Sequence, residues 1–226
     1  MTSHQSHPWK TLLWDLDGTI TDPRDGIIGA YTEFLREAGR PVPPQAELRW
    51  VIGPPLRDCM AKLLGTNHSD TIEQAVIRYR HWYVTEGLMY RDTPYEGIRE
   101  LLTDLEIAGF RMFVATAKAH TYGRLILRHW GLEDFFEDIH GSELDGTRSN
   151  KADLLRWMLE KYNIPADTSV VMIGDRSHDA VAAKANNLTS LGVGYGYGSF
   201  AELKSAGVDH YCASVEDLGK ILLSKT

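Results

Sequence analysis

Beyond Asp92 the chain alternates short apolar runs with amphipathic helical stretches, and that alternation narrows its fold more than any other feature. Met112–Ala115 and Ser169–Ile173 are almost wholly apolar, and Thr189–Val193 and His210–Cys212 follow at intervals. Runs of this kind suit strands whose sheet is covered on both faces. Helical periodicity lies between them, over Glu96–Ala108, Thr121–Trp130, Lys151–Tyr162, Ser177–Ala185, Phe200–Ser205 and Val215–Leu223. Strand–helix alternation predicts an α/β fold with a doubly wound parallel sheet. Lys10–Trp14 reads as one more buried strand of that sheet, far ahead of the others in the chain.

The intervening segment has a different texture. Helices are expected over Asp25–Ala38, Gln45–Val51, Leu56–Leu64 and Ser69–Glu86, and no strand is expected among them. In the last helix Ile72, Val76, Tyr79 and Tyr83 recur at helical spacing and form one apolar stripe. Pro41, Pro43, Pro44, Pro54 and Pro55 punctuate the segment. The expected organisation is a sheet domain over residues 1–20 and 92–226, interrupted by an all-helical cap over 21–91.

Composition limits the function classes. A formal net charge of −7 argues against a nucleic-acid polymer as partner, which normally meets a basic face. A small anionic substrate remains compatible, because a bound cation inverts the local sign. No apolar run approaches the roughly 18 residues that span a bilayer, so no membrane partner is expected. Met1–Lys10 is polar and lacks the apolar centre of a signal peptide. Cys59 and Cys212, the only cysteines, show no paired spacing. A cytoplasmic monomer or homodimer without disulfides is the expectation.

Asp15-Leu16-Asp17-Gly18-Thr19 ends the first strand and brings two carboxylates out of it together, followed by a glycine that permits a sharp turn. Ligands of open α/β sheets sit beyond the carboxyl ends of the strands. Two further strand ends carry reactive residues there: Thr116 with Lys118 close behind, and Gly174-Asp175 followed by His178 and Asp179. Lys151 adds a cation at a helix start, where backbone N–H groups already favour an anion. These pieces suit phosphoryl transfer, in which catalysis is mainly positioning and electrostatic stabilisation. A hard cation such as Mg²⁺ takes one or two carboxylates plus substrate oxygens, and Asp15 and Asp175 are the candidates. Thr116 and Lys151 would hold phosphate oxygens, while Asp17 would protonate the leaving alcohol and later activate water.

The set resembles the haloacid dehalogenase superfamily of aspartyl-phosphate phosphatases over nearly the whole chain. Asp15–Thr19 is similar to that family's first motif, Thr116 to its second, Lys151 to its third, and Gly174-Asp175 with Asp179 to its fourth. The resemblance implies Asp15 as nucleophile and Asp17 as general acid and base. It also implies Mg²⁺ held by Asp15, the Asp17 backbone carbonyl and Asp175. Asp179 matches a position that is a ligand or an outer partner, and the outer role is favoured. The helical insertion is similar to the cap of the subgroup containing phosphoglycolate phosphatases and β-phosphoglucomutases. Ile52–Arg57, Gly141–Arg148 and Tyr195–Ser199 resemble its 5′-nucleotidase-like branch. Two departures are visible: Glu96 stands where relatives carry Pro, and Ala117 where Ser is commoner. A phosphate contact at Ala117 would use the backbone N–H.

The implied activity is hydrolysis of a small phosphate ester, a nucleoside 5′-monophosphate first and phosphoglycolate second. Phosphosugar mutase and non-enzymatic phospho-ligand binding are the alternatives; a dehalogenase would not need an acid at Asp17. Arg57 either reads a distal anionic group from the cap or lies along the surface on its aliphatic stem. Lys62 reads as a solvated helix position rather than a Schiff-base lysine, and Lys118 as a neighbour shaping the local potential rather than a catalyst. Trp50, Tyr79, Trp82 and Tyr83 are expected to pack the cap. The glycine-rich Gly192–Gly198 stretch lacks a full dinucleotide fingerprint and is expected to form a flexible loop near the site.

Overall fold

A computed structural model describes residues 9–224; His4 and His7 of the polar N-terminal segment lie outside the described residues. The strands β1 (Thr11–Trp14), β2 (Thr21–Asp22), β3 (Thr93–Pro94), β4 (Arg111–Ala119), β5 (Asp138–Ser142), β6 (Val170–Gly174), β7 (Thr189–Val193) and β8 (His210–Cys212) form two sheets. The larger is six-stranded and parallel, in the order β5-β4-β1-β6-β7-β8. The first strand in the chain is therefore central, with Trp14 level with Val114 on one side and Ile173 on the other.

Alternation along β1 sends successive side chains to opposite faces. Leu12 and Trp14 join a core with α4 (Ile98–Ile107), α5 (His120–His129) and α9 (Val215–Leu223), while Leu13 joins one with α6 (Lys151–Lys161) and α7 (Ser177–Ala185). A further helix, α8 (Phe200–Ala206), packs beside α7. The predicted doubly wound α/β architecture is the one observed. One strand of the larger sheet was not expected from sequence: β5, whose Asp-Ile-His-Gly-Ser holds a single large apolar residue. As an edge strand it pairs only with β4, so it needs no continuous apolar run.

Between β2 and β3 the chain forms α1 (Arg24–Glu37), α2 (Leu56–Leu64) and α3 (Ser69–Arg80). These helices surround a separate apolar cluster that includes Tyr31, Met60, Val76, Tyr79 and Tyr83, and α5 contributes Ile126 to it. The chain leaves and re-enters the sheet side by side, because Thr21 and Asp22 pair antiparallel with Pro94 and Thr93. That two-residue ribbon is too short to produce a sequence signal. Gln45–Val51 is a 3₁₀ helix rather than an α-helix. The expected helix to Glu86 changes at His81–Thr85 into a π turn, marked by a bond from the Glu86 N–H to the His81 carbonyl. No helix among the described residues is long and apolar enough to cross a membrane.

Candidate active site

The carboxyl ends of β1, β4 and β6, neighbours at the centre of the sheet, bring the predicted residues together. Asp15 continues β1, its N–H donating to the Ile173 carbonyl at 2.8 Å. The backbone then turns tightly, with the Thr19, Ile20 and Thr21 N–H groups all donating to the Leu16 carbonyl. Gly18 has φ +85°, and a Cβ there would lie 2.2 Å from Asp175 Oδ2. Both the turn and the approach of Asp175 require glycine at this position.

Lys151 opens α6 immediately after Asn150, whose side chain caps the helix by accepting from the Ala152 and Asp153 N–H groups. Its ammonium lies 3.0 Å from Asp15 Oδ2 and also contacts Asp179 Oδ1. The second Asp179 oxygen accepts from the Arg176 N–H at 3.0 Å. Both oxygens of Asp179 are thus engaged within the protein, which fits an outer position better than a direct metal ligand. Asp175 differs: Oδ2 accepts from the Tyr197 N–H at 2.7 Å, but Oδ1 is buried without a hydrogen-bond partner among the described residues.

Thr116 is buried in β4, and its hydroxyl accepts from the Lys118 N–H. The ladder between β4 and β5 shifts register between Thr116 and Ala119, leaving Ala117 and Lys118 in a bulge. Gly141 of β5 makes that bulge possible, since a Cβ there would lie 2.1 Å from the Lys118 carbonyl oxygen. The bulge turns Lys118 inward, 2.8 Å from Asp17 Oδ1 and 2.8 Å from Asp92 Oδ2. Sequence reasoning missed Asp92, an isolated acid at the junction with the helical segment. It also left Lys118 and Tyr83 in lesser roles. Lys118 stands two residues beyond Thr116, which is the one signal available; Asp92 has none.

Five buried carboxylates, Asp15, Asp17, Asp92, Asp175 and Asp179, face two buried ammoniums. Burial opposes the charged forms of both lysines, yet Asp15 with Asp179, and Asp17 with Asp92, hold their pKa values above the ordinary one. Burial would raise Asp179, but the Lys151 ammonium holds it below the usual carboxylate range. Asp15, competing for the same ammonium, is pushed up by burial and by the charges of Asp179 and Asp17. Asp175 is raised well above the usual range by burial first, then by Asp15 and Asp179. Excess negative charge with an unpartnered oxygen on Asp175 fits a divalent cation. His178 also lies within ligand reach of Asp15 and Asp179. Lys151 already bridges those two carboxylates, so this second grouping fits a metal less well than the side facing Asp175.

A cavity of about 250 Å³ adjoins Asp17, Ala117 and Lys118. Its walls include Ile27, Tyr31, Val51 and Leu56 from the helical segment, with Tyr79 and Tyr83, and Tyr122 from α5. Arg57 and Arg80 also line it, and both donate to the carbonyl of Leu144 in the loop after β5. Arg57 is paired with Glu73 as well, so it stands at the cavity with its guanidinium already engaged. Lys62 is exposed, its ammonium 4.1 Å from the Trp50 ring centroid. The loop after β7 does lie at the site, and it is tied down: besides the Tyr197 N–H bond, the Tyr195 hydroxyl donates to the Thr19 carbonyl. At Gly196 a Cβ would meet the Gly18 carbonyl oxygen at 2.3 Å.

The sequence model for haloacid dehalogenase-like hydrolases matches residues 12–193. The chain is 40% identical to the 5′-nucleotidase of Pseudomonas aeruginosa, over 96% of each chain. It is 37% identical to the tyrosine-protein kinase PtkA of Mycobacterium tuberculosis, over 94% of this chain and 72% of that one. The crystal structure of a predicted phosphatase from Clostridium acetobutylicum superposes with a TM-score of 0.90 at 37% identity, covering 95% of this chain and 98% of that one.

Proposed function

The chain belongs to the haloacid dehalogenase-like hydrolases and is a phosphatase of that family; on that footing we propose that it hydrolyses small phosphomonoesters by way of a phosphorylated Asp15, with Mg²⁺ as cofactor. The observation that carries the reading is the position of Asp15. Its carboxylate is buried at the end of the central strand, with Lys151 on one oxygen and the unbalanced Asp175 close by. Asp15, Asp175 and the Asp17 carbonyl would hold Mg²⁺, which when bound offsets the repulsion between a carboxylate nucleophile and a dianionic phosphate.

The chain's own residues supply the rest. An Asp15 oxygen attacks phosphorus while the ester P–O bond breaks, and Asp17 gives its proton to the departing oxygen. Asp17 then takes a proton from water as that water attacks the phosphorylated aspartate, which regenerates the Asp15 carboxylate. Thr116, the Ala117 N–H and Lys151 hold the phosphoryl oxygens. Residues 21–91 act as a cap domain that excludes water and selects the leaving group.

The cavity beside Asp17 supports a leaving group larger and flatter than glycolate. Four tyrosines line it, and aromatic faces suit stacking on a planar ring. A nucleoside 5′-monophosphate is therefore the first substrate class and phosphoglycolate the second. The deciding experiment measures phosphate release from nucleoside 5′-monophosphates, phosphoglycolate and β-glucose 1-phosphate, with Mg²⁺ and after chelation. Mg²⁺-dependent release is expected, fastest from the nucleotides, with acid-stable label on the protein that Asp15→Asn abolishes. Isomerisation of the sugar phosphate without free phosphate would establish a mutase instead. No release from any ester would favour a binding protein. An added arm with ATP and a protein tyrosine reads the activity named for the mycobacterial relative.

A further inference from the structure

We propose that Lys118 is a positioning residue for Asp17, itself fixed by Asp92 and Tyr83; the inference rests on the reading of Asp17 as general acid and base. An ammonium has three donors and no acceptor, and here three oxygens delivered by different parts of the chain surround it. Asp17 Oδ1, from the turn after β1, lies at 2.8 Å as an ion pair without hydrogen-bond geometry. Asp92 Oδ2, from the return to the sheet, also lies at 2.8 Å. The Tyr83 hydroxyl, from the π turn that ends α3, accepts a hydrogen bond from the same ammonium. That hydroxyl in turn donates to Asp92 Oδ2 at 2.7 Å, which closes a ring of Lys118, Tyr83 and Asp92.

The ring is built for immobility. Side-chain exposure is 6% for Lys118, 9% for Asp17 and 0% for Asp92. Two glycines make room for it: Gly141 for the bulge that directs Lys118, and Gly26 of α1, where a Cβ would lie 2.1 Å from Asp92 Oδ1. Asp17 also borders the cavity that would receive the leaving group. Among the described residues neither oxygen of Asp17 accepts a hydrogen bond, and Oδ1 alone is ion-paired. The ion pair therefore draws Oδ1 towards Lys118 and leaves Oδ2 as the oxygen that exchanges a proton. Displacing a catalytic group by about 1 Å costs on the order of 10²-fold in rate. A lysine that merely neutralised buried charge, or merely held phosphate, would not act through Asp17.

Leaving-group dependence separates these roles. Phenyl phosphate needs its departing oxygen protonated, whereas 2,4-dinitrophenyl phosphate releases a phenolate stable without a proton. The value of kcat/KM reports the step in which that bond breaks. Lys118→Met is expected to lower kcat/KM for phenyl phosphate by about 10²-fold, and for the dinitrophenyl ester by less than about tenfold. Tyr83→Phe, which removes no charge, should give a smaller split of the same sign and carries the test if Lys118→Met does not fold. Asp17→Asn should show the split itself, and adding Lys118→Met to it should not widen it. Equal losses on both esters, or an additive split in the double variant, would overturn the positioning role. If Asp17→Asn shows no split, the acid role of Asp17 fails instead.

Discussion

Two buried lysines flank the end of β1, each between two aspartates, and they differ in where their partners originate. Lys151 joins Asp15 and Asp179, all three from the sheet and its own connections. Lys118 joins Asp17 and Asp92, then reaches Tyr83 in the helical insertion. The first cluster is self-contained, and its lysine touches the proposed nucleophile. The second gathers the two ends of the insertion and part of its interior around the proposed acid. A lysine of the first kind affects every substrate alike, while one of the second kind acts where proton transfer limits the rate.

The largest expected effect follows from breaking the first cluster. Lys151→Met leaves Asp15 and Asp179 buried with no cation between them, and removing one partner of a buried pair costs about 3–5 kcal/mol of stability. Urea unfolding should register that loss. On the folded fraction, kcat/KM should fall by on the order of 10²-fold for phenyl and dinitrophenyl phosphate equally. A leaving-group split like that expected of Lys118→Met would erase the functional distinction between the clusters.

A smaller effect is expected at two glycines that make room for buried carboxylates. A Cβ at Gly18 would meet Asp175 Oδ2 at 2.2 Å, and one at Gly26 would meet Asp92 Oδ1 at 2.1 Å. Gly26 lies inside α1, where alanine is favoured over glycine by roughly 1 kcal/mol on propensity alone. Overpacking against a buried carboxylate should reverse that preference, so Gly26→Ala is expected to destabilise by about 1–3 kcal/mol. Gly18→Ala adds a positive φ to the clash and should also raise the Mg²⁺ concentration for half-maximal activity, which Gly26→Ala should leave in place. A stabilised Gly26→Ala protein would show that Asp92 has room to move and that the second cluster is loose.

The same contrast explains what was legible in the sequence. Asp15, Thr116, Lys151 and Asp175 stand at strand ends or a helix start, so local pattern and fold class together bring them to one place. Asp92 and Tyr83 have no such address. Tyr83 sits on an apolar stripe and packs there as expected, yet its hydroxyl leaves the stripe because the helix widens into a π turn. The widening and the two-residue shift in the β4–β5 ladder are local irregularities. Arg57 shows the opposite case: its side chain lines the cavity, but Glu73 and the Leu144 carbonyl already engage its guanidinium. Edge strand β5 escaped because its sequence is mostly polar, although its Gly141 is what admits the bulge carrying Lys118.

The smallest expected effect lies outside both clusters and isolates their pH behaviour. His140 on β5 has its Nε2 2.6 Å from the Tyr162 hydroxyl and 3.3 Å from Asp138. Burial lowers its pKa from 6.5 to about 4, against the opposing charge of Asp138. The folded protein therefore keeps His140 neutral where the unfolded chain already binds a proton. Stability should fall as the pH drops from about 6.5 to about 4, and level off below. Raised carboxyls such as Asp15 and Asp175 contribute the opposite slope, since the folded state then binds protons more readily and loses stability as the pH rises. Asp138 is held low, so its own contribution disappears only below the ordinary carboxylate range. His178 is shifted like His140 but is present in both proteins compared, so the difference between wild type and His140→Gln belongs to His140. Urea unfolding at pH 7 and pH 5 should show a smaller acid loss for His140→Gln, with kcat/KM on aryl phosphates unchanged. Parallel losses in the two proteins would mean that His140 is protonated in the folded state, and that the acid slope belongs to His178.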